Sequence, residues 1–185
     1  MQSLKPKFIV EIRATTHDAY GNLIQSRPWT PANSLLNQFV QLLIILMSQV
    51  TATVKDVGGT DRAIAAHTTD LKCNAPNANI LYGILIGTGT TEVAMDDNCL
   101  ETQLSANIAH AVQTFAVENP DANTWRAATS RGLTNNTGAT INVTEVALYT
   151  NYVAGSYFCI DRTLYPVAVA AGATLTLTYR ITVTL

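Results

Sequence analysis

From Thr174 onwards the chain alternates without a break. Leu175, Leu177, Tyr179, Ile181, Val183 and Leu185 fall on one phase, and Thr174, Thr176, Thr178, Arg180, Thr182 and Thr184 on the other. A helix, with a period of about 3.6 residues, would scatter those apolar side chains around its axis. An extended strand puts all of them on one face. The segment is therefore a strand with an apolar face and a Thr-rich face, and the fold must supply both a neighbouring strand and a layer to cover the apolar side.

Similar signatures precede it. In Lys7–Thr15, Phe8, Val10, Ile12 and Ala14 point one way, and Lys7, Glu11 and Arg13 the other. Asp18–Asn22 reads as a turn, and Val54–Ala78 as loop, with Gly58-Gly59 and Asn74-Ala-Pro76-Asn77 inside it. Asn79–Ile86 is a continuous apolar run, the pattern of a strand buried on both faces. Ala109–Val117 alternates loosely, Trp125–Leu133 is a further strand, and Thr134–Gly138 is a turn. In Ala139–Tyr149, Ile141 and Val143 share one phase while Val146 and Leu148 take the other. Such a slip marks a bulge or bend near Thr144-Glu145. Ser156–Thr163 follows, then the turn Ala171-Gly172.

One segment breaks the β pattern. Apolar residues at 35, 36, 39, 40, 43, 46, 47 and 50 describe a helical face, which Leu42, Ile44 and Ile45 widen nearly all the way round. Thr30-Pro31 supplies a capping side chain and a proline suited to a first helical position. A second, short helix is expected within Asp96–Asn107, around Leu100, Leu104 and Ile108. The long helix lies in a charge-free stretch between Arg27 and Lys55, but Asn37, Gln38, Gln41, Ser48 and Gln49 interrupt it. A membrane span needs about 20 mostly apolar residues. The expectation is a buried helix, covered by its own domain or by another subunit, and no membrane span.

Composition narrows the function classes. The 185 residues suit one domain, residues 1–185. Charged residues make up 13% of them, against about 25% in typical domains. Disorder requires low hydrophobicity with high charge, yet hydrophobic residues reach 48%. Nucleic-acid binding requires a basic excess, but 11 Lys+Arg face 13 Asp+Glu. Cys73, Cys99 and Cys159 are odd in number and lack CxxC spacing, which favours free thiols. No apolar run follows the early lysines, so no signal peptide is read, and the glycosylation-type triplets at Asn135 and Asn142 read as chance.

Catalytic and ligand motifs are absent. Gly87-Thr-Gly89-Thr-Thr-Glu92 lacks the third glycine of a dinucleotide fingerprint and the lysine of a phosphate loop, so it reads as a turn leaving a strand. Asp96-Asp97-Asn98 with Glu101 has neither the spacing nor the glycine of a calcium loop. His17, His67 and His110 sit in separate segments, and Ser130 and Cys159 lack the glycines of a nucleophile elbow. No catalytic residue, metal or cofactor is expected. Trp29 and Trp125 could stack on a sugar, but with aromatics at only 7% they read first as core or interface anchors.

Three stretches resemble a group of small virion structural proteins of tailed bacteriophages. They are Tyr82–Thr91 with Leu100–Leu104 and Ile108-Ala-His110; Arg131–Tyr149; and Asp161-Arg-Thr163 with Pro166-Val167 and Gly172–Thr184. Asn33–Phe39 is similar to that group's helix start. Ala147 and Ala111 stand where the related pattern has glycine, which implies different local turns. The resemblance implies a particle component located in the virion and made in the host cytoplasm.

Together these readings predict a mainly β, antiparallel two-sheet sandwich, jelly-roll or Greek-key like, with one helix at about 31–49 packed on it. The expected role is a non-enzymatic structural subunit that binds itself and other virion proteins. Charges are depleted where interfaces cover a surface, and an alternating terminal strand is an edge that proteins blunt or pair. The expected interface is Leu36, Phe39, Val40, Leu43, Ile44 and Met47 on the helix, and Leu175, Leu177, Tyr179, Ile181 and Val183 on the closing strand. The alternative is a receptor- or glycan-binding module of an appendage.

Overall fold

A computed structural model describes residues 7–32, 36–48, 51–64, 72–153 and 155–184, without the side chains of 46–48 and 153. The described residues are mainly β, arranged in antiparallel sheets with one helix. The strands of the largest sheet are β1 (Lys7–His17), β2 (Leu23–Ser26), β3 (Thr30–Pro31), β7 (Ile108–His110), β8 (Thr114–Asp121), β9 (Thr124–Asn135) and β12 (Thr174–Thr184). Its order is β2-β1-β12-β9-β7, with β3 added to β1 and β8 to β9. A second sheet has the order β11-β10-β6, from β6 (Gly83–Gly87), β10 (Ile141–Val153) and β11 (Ser156–Val169).

The closing strand is not an edge. β12 pairs along its whole length with β1, from Lys7↔Thr184 to His17↔Thr174, and on its other side with β9. Alternation reports the two faces of a strand, whereas ladder partners lie in the sheet plane, so the pattern could not distinguish a central strand from an edge. The Thr-rich face is used for cross-strand pairs: Ser130 Oγ lies 2.7 Å from Thr178 Oγ1, and Thr134 Oγ1 lies 2.8 Å from Thr174 Oγ1. Arg180 on that face donates to Glu11 at 2.7 Å and stacks 3.9 Å over Trp29.

One apolar cluster draws Ile12, Leu133, Leu175, Leu177 and Tyr179 from the large sheet and Ile84, Val146, Leu148 and Phe158 from the smaller one. A second cluster covers the other face of the smaller sheet, with Leu85, Ala147, Tyr149 and Cys159 meeting Leu36, Leu100 and Ala75. Every residue of β6 is buried for this reason, as predicted for that part of the apolar run, whereas Ile80 and Leu81 of the same run precede the strand and are exposed. The phase slip in β10 is a register shift between Val143 and Glu145.

Three local expectations change. The helix α1 spans Asn37–Ser48, while Thr30-Pro31 pairs with β1 opposite Ile12 and Glu11. Thr30 Oγ1 donates to the Ile12 carbonyl at 3.2 Å, so its hydroxyl serves a strand edge and not a helix cap. Part of the segment read as loop is a hairpin, β4 (Ala52–Lys55) with β5 (Asp61–Ile64). Asp56 holds its turn by accepting from Gly58 N, Thr60 N and Arg62 Nε at 3.0, 2.8 and 2.7 Å. No helix forms in 96–107, which runs as turns around charged side chains. No helix among the described residues is long and apolar enough to cross a membrane.

Candidate interaction surface

The polar groups that looked most like chemistry are used up inside the chain. The Gly87–Thr91 loop points its amides at carboxylates of its own molecule. Gly89 N and Thr102 N donate to Glu145 Oε1 at 2.9 Å each, Glu101 N donates to Glu145 Oε2 at 3.1 Å, and Thr90 N and Thr91 N donate to Glu101 Oε2. Arg162, almost wholly buried, donates from Nε to Glu145 at 2.8 Å and from Nη1 to Asp97 at 2.7 Å. Burial alone would lower the Arg162 pKa, but these two carboxylates outweigh it and raise it. A phosphate would find these loop amides already occupied, and the acidic run around Asp97 serves as counter-charge to Arg162.

Other candidates are similarly engaged. Burial pushes the thiols of Cys73 (to about 11), Cys99 and Cys159 above the ordinary range, away from the thiolate a nucleophile needs. His110 is buried and its pKa falls to about 4, first from desolvation and then from the Arg131 charge. His67 lies outside the described residues. Among the described residues no three His, Cys, Asp or Glu are grouped to hold a metal ion. Asn135, in the first glycosylation-type triplet, is buried and donates to the carbonyls of Ala139, Val169 and Ala170.

The apolar side chains behave differently. Cross-strand register places Phe8, Val183 and Trp125 in one row of the large sheet. Val10, Ile181, Ala127 and Val117 form the next row, and Ile12, Tyr179, Thr129 and Phe115 the third. Directly opposed residues share a face, and so do residues two apart. All three rows therefore lie on the face that carries Leu175 and Leu177 into the core. The core covers only part of it. Ile12 and Tyr179 are buried, Val10, Ile181 and Val183 are half-buried, and Phe8, Phe115, Val117 and Trp125 are exposed, the last two at 71% and 52%. None of the residues in these rows is charged.

At the boundary between the covered and open parts lies a cleft of about 160 Å³, lined by Phe39 of α1, Phe115, Ala127, Ile181, and Leu148 and Ile160 of the smaller sheet. Beside it, α1 turns Leu42 and Ile45 into the core and leaves Val40, Leu43 and Ile44 exposed. These three stand at i, i+3 and i+4, one ridge on the side away from the core.

The residues expected at an interface thus divide. Leu36, Leu175, Leu177 and Tyr179 are buried within the chain, so they are core and cannot present themselves to a partner. Val40, Leu43 and Ile44 are exposed; Phe39, Ile181 and Val183 are half-buried at the open face; the Met47 side chain lies outside the described residues. Phe8, Phe115 and Val117 were not expected there, whereas Trp125, read as a core or interface anchor, is exposed beside them. The signal for two of them was the loose alternation of Phe115 and Val117, which defines a face without telling whether anything covers it. No known protein family, curated protein or solved structure matches the chain.

Proposed function

We propose that the chain is a non-enzymatic structural subunit that assembles with copies of itself, as a two-sheet sandwich in a phage or phage-like particle. The observation that carries this reading is the open, uncharged face from Phe8 to Val117. Monomers rarely expose contiguous apolar patches beyond about 300–600 Å² unless the patch is functional. The four exposed side chains of this face and the α1 ridge amount to roughly 700 Å² at usual side-chain areas. Arg162, Glu145 and Asp97 are engaged with one another, which favours a structural role for that cluster over catalysis. The resemblance of Tyr82–Thr91, Arg131–Tyr149 and Gly172–Thr184 to virion structural proteins supports the particle context and a location in the virion.

Negative-stain micrographs of the purified protein, together with light scattering across a concentration series, test the reading. Discrete oligomers, rings or tubes are expected, and a monomer at every concentration would sink it. A receptor- or glycan-binding module is the second reading, and exposed Trp125 is what favours it, since Trp29 is stacked against Arg180. Saturable binding on a glycan array, lost in Trp125→Ala, would favour that module.

A further inference from the structure

The surface described above contains two shapes, a ridge on α1 and a cleft beside it, with Phe39 at the seam between them. It lines the cleft, and it lies four residues before Leu43 on the same helix. We infer that a second copy of this chain is the occupant of the cleft, and that the exchange is reciprocal. The Val40–Leu43–Ile44 ridge of each protomer enters the Phe39–Phe115 cleft of the other, which closes a twofold dimer. The inference rests on the self-assembly reading and names its first contact.

Four observations support a second copy as the occupant. The first is area: stable interfaces bury about 800 Å² per partner, and the roughly 700 Å² of exposed apolar side chain per chain is close to that. The second is size. A dry apolar cavity of about 150 Å³ accepts a benzene-sized group, so the cleft of about 160 Å³ takes one leucine or isoleucine side chain. The third is charge. α1 carries no charged residue from Asn37 to Ser48, and the open rows carry none, so ridge and cleft meet without desolvating an ion. The charges adjacent in sequence, Lys7, Glu11, Glu118, Arg126 and Arg180, occupy the other phase of their strands; Glu118 pairs with Arg126 at 3.4 Å and Glu11 with Arg180 at 2.7 Å. The fourth is placement. A twofold contact requires that two complementary features share one side of the molecule, so that i meets j and j meets i. Phe39 puts ridge and cleft next to each other. Had they lain on opposite sides, the contact would run head to tail and leave a ridge free at one end.

Sedimentation velocity on the whole chain, with cross-linking, tests the exchange. The wild type is expected to form a dimer of twice 19.9 kDa, and Leu43→Glu and Val117→Glu are each expected to weaken dimerisation at least tenfold. Both side chains are exposed, so circular dichroism should show either variant folded; Trp125→Ala is the third probe should one of them misfold. Leu43→Cys and Val117→Cys proteins, each purified separately in a Cys73→Ser, Cys99→Ser background because Cys73 lines the cleft, should cross-link when mixed, and neither should cross-link alone. Self-linking of Leu43→Cys, a ridge-to-ridge contact, overturns the inference. So does an assembled wild type that neither glutamate variant disturbs, although self-assembly through other surfaces then survives. A wild type that stays monomeric at all concentrations removes both.

Discussion

Arg131 carries its charge into the interior, where five main-chain carbonyls and no carboxylate receive it. Nε donates to Ala111 at 2.9 Å, Nη1 to Tyr82 and Ile84 at 3.1 Å each, and Nη2 to Pro76 at 3.4 Å and Asn79 at 2.5 Å. One side chain thereby ties the 76–84 segment and Ala111 to β9. Burial lowers its pKa to about 10, still far enough above neutrality to keep the charge. Arg131→Met would leave those carbonyls without donors, and a loss of about 3–5 kcal/mol is expected in urea denaturation. Arg131→Lys, with three donors, should lose less. Neighbouring His110 has no hydrogen-bond partner for either ring nitrogen among the described residues. Its folded pKa of about 4 lies below the ordinary 6.5, so between these values the unfolded chain binds a proton that the folded chain refuses. Stability should fall as the pH drops through that window, by on the order of 2–3 kcal/mol, and level off below it. His110→Leu should flatten that slope relative to wild type in melts from pH 7 to pH 4. Neither role was legible in the sequence. A lone Arg in an alternating strand and a lone His in a short one reveal nothing of what surrounds them, because those partners come from segments about 20 to 55 residues away.

At the scale of elements, the Gly87–Gly89 turn was recognisable as a turn, but the reason for its glycines was not. A Cβ on Gly87 would meet the Glu145 carboxylate and lie 2.5 Å from the Thr102 carbonyl; one on Gly89 would press against Glu101 and Glu145. Neither residue has a positive φ, so close approach and not backbone freedom excludes a side chain. Gly87→Ala should cost about 1–3 kcal/mol through overpacking, read as a lower melting temperature, while Gly138→Ala, with open space but a φ of +81°, costs only turn strain. The helix was legible from its period, yet it begins at Asn37, several residues after Thr30-Pro31. The cap-like dipeptide was recruited by the edge of β1, a tertiary choice that local propensity does not contain. The β4–β5 hairpin was missed because only Val54 and Ile64 of its eight strand residues are buried, too few to set a period.

For the whole molecule, strands and turns were readable because each leaves a local periodic mark, whereas strand order was not. The pairing of β1 with β12 joins Lys7 to Thr184, and nothing near either residue advertises the other. Among the described residues, β12 alone connects β1 to β9 in the large sheet. Removing Thr174–Thr184 should therefore abolish the cooperative transition in circular dichroism, whereas removing only the edge strand β2 should leave a folded, less stable protein. The open face was half legible for a related reason. Its apolar phase is written in Phe8, Ile181, Val183 and Val117, but the extent of its cover depends on how far the smaller sheet and α1 reach across it.

The central place of β12 also sets a timetable. A ribosome makes β1 and β9 well before it makes the strand that joins them, so the larger sheet stays incomplete while nearly all of the described chain has emerged. Until then the apolar phases of β1 and β9 have no shared ladder and no finished core to cover them. Contacts spanning so much sequence also form slowly, since the loop they close must be ordered first. The nascent protein is therefore expected to expose these apolar strands through most of its synthesis and to aggregate when overproduced, which the soluble fraction of an overexpressing lysate measures.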